Sequence, residues 1–177
     1  MSQLTLKLDK PTEPGFIIDT MVLIGIGRII YPPELKQSAR EIVDKLVDEG
    51  KIKSSIEVYA EVYYKKKKSD GDETCLLADA YKAKNVFERI SDVDQENVAL
   101  ILTQFPTFVK HDSERPDADP WLVTLAMRFN KWTIVSRDGE KDTDGMQRMK
   151  QVCRHFKIPY ITDTEFYQSH GWNITSP

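Results

Sequence analysis

The chain has 177 residues, 40% hydrophobic and 30% charged, a composition that fits one folded domain and excludes the disordered and fibrous classes. A net charge of -3 gives no global attraction to nucleic acid, so RNA binding would have to use local basic patches and metal ions. Two distant cysteines, Cys75 and Cys153, suggest neither a disulfide framework nor a zinc site, and no apolar run is long enough for a membrane span or, within Met1 to Pro14, for a signal peptide. A cytoplasmic protein is expected.

Phe16-Ile17-Ile18, preceded by Pro14-Gly15, reads as a buried first strand that ends at Asp19-Thr20. After Pro32-Pro33-Glu34, the residues Leu35, Ala39, Ile42, Val43, Leu46 and Val47 fall at helical spacing, with Gly50 where a C-terminal cap belongs. Ile52-Lys53-Ser54 fits a brief strand, and Ile56 to Lys67 a helix opened by a capping box from Ser54 to Glu57. Residues from about 73 to 106 carry two helical patterns, one over Leu77, Ala80, Tyr81, Lys84 and Phe87 and one from Val93 to Leu102, and read as an insertion-like helical pair.

Asp119-Pro120 opens another helix, with Asp as N-cap, Pro at the first helical position and a buried stripe of Leu122, Leu125, Ala126 and Phe129. Trp132 to Val135 is the next strand and leads into Ser136-Arg137-Asp138-Gly139. Met146 to Phe156 is helical, Ile158 to Ile161 a last short strand, and Asp163 to Ser169 a final helix. Strands alternating with helices predict a mainly parallel sheet covered on both faces, in which ligands bind at the carboxyl ends of the strands.

Two acids, Asp19 and Asp138, directly follow predicted strands. Glu61 lies inside the third helix and Asp119 at a helix start. Carboxylates from separate elements at one rim suit Mg²⁺ or Mn²⁺, hard cations that take oxygen ligands and drive phosphodiester hydrolysis. Each acid also has a plain structural reading. Asp19 and Asp119 can cap helices, Glu61 can pair with Lys65 one turn on, and Asp138-Gly139 can form a turn.

The residues around these acids resemble PIN domains in four motifs. Phe16-Ile17-Ile18-Asp19-Thr20-Met21-Val22-Leu23-Ile24 is similar to the opening strand and its Asp-Thr-x-Val-Leu. Lys53-Ser54-Ser55 to Ala60-Glu61-Val62 resembles the second motif, with a serine six residues before the glutamate. Ala118-Asp119-Pro120-Trp121-Leu122-Val123-Thr124-Leu125-Ala126 resembles the third, and Thr133-Ile134-Val135-Ser136-Arg137-Asp138 the fourth. Order and spacing agree over roughly residues 15–162.

The resemblance implies a three-layer α/β/α PIN-like domain over residues 1–177 and Mg²⁺- or Mn²⁺-dependent endoribonuclease activity. It also implies the toxin role in a toxin-antitoxin pair, with RNA as substrate, a cognate antitoxin and often a homodimer. Asp19, Glu61, Asp119 and Asp138 are then the catalytic metal ligands, with Asp117 and Asp142 in secondary positions and Thr20, Lys65, Lys66 and Arg137 as RNA contacts. Many PIN domains carry Asn or Ser where this chain has Met21, and a thioether cannot supply the same hydrogen bond. The alternative is therefore a catalytically weakened PIN-like protein that binds a partner.

Other signals are explained without a site. The lysine run from Lys65 to Lys68 suits a helix C-terminus, and Arg28 and Arg137, near candidate acids, suit simple ion pairs as well as phosphate contacts. Residues 140–145 mimic a calcium loop, but its first and twelfth positions are Glu140 and Gln151, the wrong ligands. His111, His155 and His170 share no spacing, and Tyr59, Tyr63 and Tyr64 fall at helical intervals that suit core and rim.

Overall fold

A computed structural model describes residues 13–27, 33–64, 72–109, 117–137 and 147–172. Its centre is a five-stranded, wholly parallel sheet in the order β3-β2-β1-β4-β5, formed by β1 (Phe16–Ile18), β2 (Ile52–Ser55), β3 (Phe87–Glu88), β4 (Thr133–Ser136) and β5 (Tyr160–Thr162). The expected three-layer α/β/α architecture is the one observed. β1 is central, and Ile17 and Ile18 are fully buried, as a parallel strand covered on both faces requires.

The helices are α1 (Thr20–Gly27), α2 (Pro33–Asp48), α3 (Ile56–Tyr64), α4 (Glu73–Ala83), α5 (Asp92–Gln104), α6 (Asp119–Arg128), α7 (Met149–His155) and α8 (Asp163–Ser169). α6 packs on β1, β2 and β4, with α5 and α7 beside it. α2 packs on β2 and α8 on β4 and β5, and Trp172 Nε1 after α8 donates to Leu35 O of α2 at 3.3 Å. The chain leaves β1 toward β2 and β3, then crosses back to β4 and β5 on the other side. The topological switch point thus lies between β1 and β4.

Several local expectations are corrected. α1 had no legible period: TMVLIGIG is apolar all round and all but Met21 is buried, so no amphipathic stripe marks it. Phe87 is in β3, because α4 ends at Ala83 and Asn85 takes a left-handed φ of 57°, which a helix cannot continue through. Residues 73–106 therefore contain a strand of the sheet between their two helices.

The box from Ser54 to Glu57 does not form. Ser54 is still in β2 and its hydroxyl donates to Ile18 O at 2.7 Å, so Ser55 Oγ receives the Glu57 N–H instead, at 3.3 Å. Asp119 is the first helical residue of α6 and Ala118 the cap, without a side-chain cap bond. β4 runs one residue further than expected, to Ser136, and α7 begins at Met149.

Candidate active site

β1 is extended by one backbone bond, from Asp19 N–H to Val135 O at 3.2 Å, which holds Asp19 against β4 at the switch point. Its Oδ1 accepts the Val22 N–H at 2.8 Å, so Asp19 does cap α1, as its plain structural reading has it. The carboxyl receives two further hydrogen bonds, from the Ser136 hydroxyl and the Arg137 backbone N–H. Asp19 is buried, and burial pushes its carboxyl up to about 6. The three hydrogen bonds oppose that rise, and the negative charge of Asp163 adds to it.

Thr20, next in the chain and also buried, donates its hydroxyl to Glu61 Oε2. This bond joins the first turn of α1 to α3 and brings Glu61 toward the carboxyl end of β1. Thr20 itself, a candidate RNA contact, spends its hydroxyl on Glu61.

Asp119 opens α6. Its backbone N–H donates to Asp117 Oδ1 at 3.2 Å, which tucks Asp117 into the turn before the helix. Burial, and then the charge of Asp119, push the Cys153 thiol of α7 up to about 12, so this cysteine stays protonated and inert. Asp138, Asp142, Lys65 and Lys66 lie outside the described residues, as do Arg28, His111 and residues 140–145. Among the described residues, no three His, Cys, Asp or Glu side chains form a group that could hold a metal ion.

Arg137 is placed by Asp163, an acid outside the expected ligand set. Its Nε and Nη2 each lie 2.7 Å from Oδ2 of Asp163, which opens α8 directly after β5. The rule that selected Asp19 and Asp138, an acid immediately after a strand, applies equally to Asp163. Its sequence context predicts only a helix start.

The remaining candidates have other surroundings. His155 packs edge-on against Phe105 and Phe156, and His170 against Phe16 and Phe166. Tyr59 donates to Asp79 Oδ1 at 2.8 Å and carries Lys82 Nζ over its ring, while Tyr64 is exposed.

A family model described as Domain of unknown function (DUF4411) matches residues 16–174. The chain belongs to the DUF4411 family. The match begins at the first residue of β1 and runs past α8, so every strand, Asp19, Glu61, Asp119 and Asp163 fall within the DUF4411 region. Comparison with curated proteins gives no match. No helix of the described residues is long and apolar enough to cross a membrane.

Proposed function

We propose that this chain is a Mg²⁺- or Mn²⁺-dependent endoribonuclease of the PIN kind. The observation that carries the reading is the burial of Asp19 at the switch point of a parallel sheet, beside the hydrogen bond from Thr20 to Glu61. Ligands of open α/β sheets bind in the crevice at that point. A desolvated carboxyl with its ionisation held up to about 6 is a group whose charged form a nearby cation would favour.

The chemistry of the donor set fits a hard cation, since Asp19, Glu61, Asp119 and Asp138 offer only carboxylate oxygens. Among the described residues these acids do not make a three-acid group, so the reading requires Asp138, which lies outside them, to complete the set. A bound divalent ion lowers the pKa of a coordinated water and stabilises the leaving oxygen.

The protein's own residues supply orientation. Ser136, Val22 and Arg137 hold Asp19, and Thr20 holds Glu61. As the toxin of a toxin-antitoxin pair, the protein would act on RNA in the cytoplasm, form a homodimer and be silenced by a cognate antitoxin.

A second reading, a partner-binding module with a weakened site, is favoured by Met21. It is 36% exposed in the first turn of α1, where it can cover a partner surface but cannot donate a hydrogen bond. The deciding experiment is cleavage of labelled single-stranded and structured RNAs with Mg²⁺, Mn²⁺ or EDTA. Metal-dependent cleavage that disappears in both Asp19→Asn and Asp119→Asn supports the nuclease. No cleavage with either metal hands the case to the partner-binding module.

A further inference from the structure

β4 and β5 are parallel neighbours, paired from Ile134 with Tyr160 to Ser136 with Thr162, so Arg137 and Asp163 emerge side by side at their carboxyl ends. Both guanidinium contacts fall on one oxygen of Asp163, Nε and Nη2 at 2.7 Å from Oδ2. The other oxygen, Oδ1, accepts the Thr164 N–H at 2.8 Å within α8. The Asp163 side chain is only 5% exposed and that of Arg137 28%. Asp163 is thus held by its own helix, and it holds Arg137 in turn.

Arg137 is also tied at its other end. Its backbone N–H and the hydroxyl of the preceding Ser136 both bind the carboxyl of Asp19 across the switch point. The end of β4 therefore orients Asp19 through the Ser136 hydroxyl and the Arg137 backbone, and it is clamped through the Arg137 side chain. Release of the Arg137 guanidinium removes one of the restraints on the residues that hold Asp19.

A structural ion pair is the alternative account, but stability is a weak reason for it. Burying a carboxylate carries a desolvation penalty that the attraction of its partner only roughly offsets.

We infer that Asp163 is a positioning residue of the active site, which clamps Arg137 and thereby fixes Ser136 and Arg137 against Asp19. The inference rests on the nuclease reading above. It goes beyond that reading in assigning a role to an acid outside the proposed ligand set.

The test measures Mn²⁺ binding to the full chain by calorimetry, together with kcat and KM for RNA cleavage and thermal unfolding. It compares wild type with Asp163→Asn, Arg137→Gln, Arg137→Lys and the double variant Asp163→Asn/Arg137→Gln. Loss of support behind a metal ligand typically costs roughly 10–100-fold in metal affinity or activity. Asp163→Asn is therefore expected to weaken Mn²⁺ binding and kcat by about 10-fold or more, with KM for RNA little changed.

Arg137→Gln on the Asp163→Asn background should add little, because the two residues act through one contact. Arg137→Lys, which keeps the charge and loses the planar fork, should fall between wild type and Arg137→Gln. If Asp163→Asn does not fold, the more exposed Arg137 variants carry the same comparison.

Variants that unfold at lower temperature but keep wild-type Mn²⁺ affinity and kcat would make the pair purely structural and overturn the inference alone. Additive losses in the double variant would overturn it too. A wild-type protein that neither binds Mn²⁺ nor cleaves RNA would instead overturn the nuclease reading and the positioning role with it.

Discussion

The hydroxyl of Thr20 donates a hydrogen bond to Oε2 of Glu61, joining α1 and α3 across 41 positions of sequence. Thr20 is buried and Glu61 half-buried, so the bond forms where water competes weakly for either partner. It gives Glu61 one orientation at the rim rather than the many that an exposed side chain samples.

Thr20→Val keeps the shape of the side chain and removes the donor. It should cost about 0.5–1.5 kcal/mol of stability, the usual net worth of one hydrogen bond. RNA cleavage should drop about 10-fold, the scale expected when support of a metal ligand is lost. Thr20→Ser, which retains the hydroxyl, should restore most of the rate. Equal rates for the Val and Ser variants, measured beside their unfolding curves, would remove this bond from the catalytic account.

Asp19 links stability to pH. Its carboxyl is pushed from an ordinary 3.8 up to about 6, chiefly by burial. Between those values the folded protein holds a proton that the unfolded chain has released. The contribution of Asp19 to stability is therefore complete below about 3.8 and is lost as pH rises through about 6. The full span corresponds to ~3 kcal/mol.

Asp19→Asn cannot ionise, so the other titrating groups cancel in a comparison with wild type. From about pH 4 to pH 7 the stability difference should move in favour of the variant by ~3 kcal/mol, read from denaturant unfolding at each pH. RNA cleavage should be absent in the same variant. A stability difference that stays constant across that range would mean that Asp19 titrates as an ordinary carboxyl.

Gly27 ends α1 where it meets α4. A Cβ there would lie 2.5 Å from Thr74 Oγ1 and 2.8 Å from Thr74 Cα, too close for the backbone of α4 to tolerate unmoved. Gly27→Ala should destabilise the fold by about 1–3 kcal/mol, the usual cost of overpacking, and lower Tm by several degrees. The site should follow, because α1 carries Thr20 and its N-terminus is held by Asp19. An unchanged Tm would mean that α1 and α4 can slide apart at small cost.

What could be read without coordinates was whatever depends on near neighbours in the chain. Phe16-Ile17-Ile18 before an acid, the apolar stripe of α2 closed by Gly50 with its φ of 69°, and Asp119-Pro120 at a helix start are local signals. They sufficed for strands alternating with helices, and hence for a parallel sheet with acids at its carboxyl rim. α1 escaped because a helix buried on nearly every side shows no amphipathic period, and β3 because two residues after a helical run carry too little pattern to mark a strand.

The sequence by itself determined the alternation of elements and the acids that end β1 and open α6, because periodicity, caps and turns are written within a few residues of one another. Only the tertiary structure decided which of those groups meet. Thr20 finds Glu61, Asp19 is buried under Ser136 and Arg137, and Asp163 clamps Arg137, because β4 and β5 are laid beside β1 in one order out of many. Those pairings join residues tens of positions apart, and no local preference of the chain encodes them.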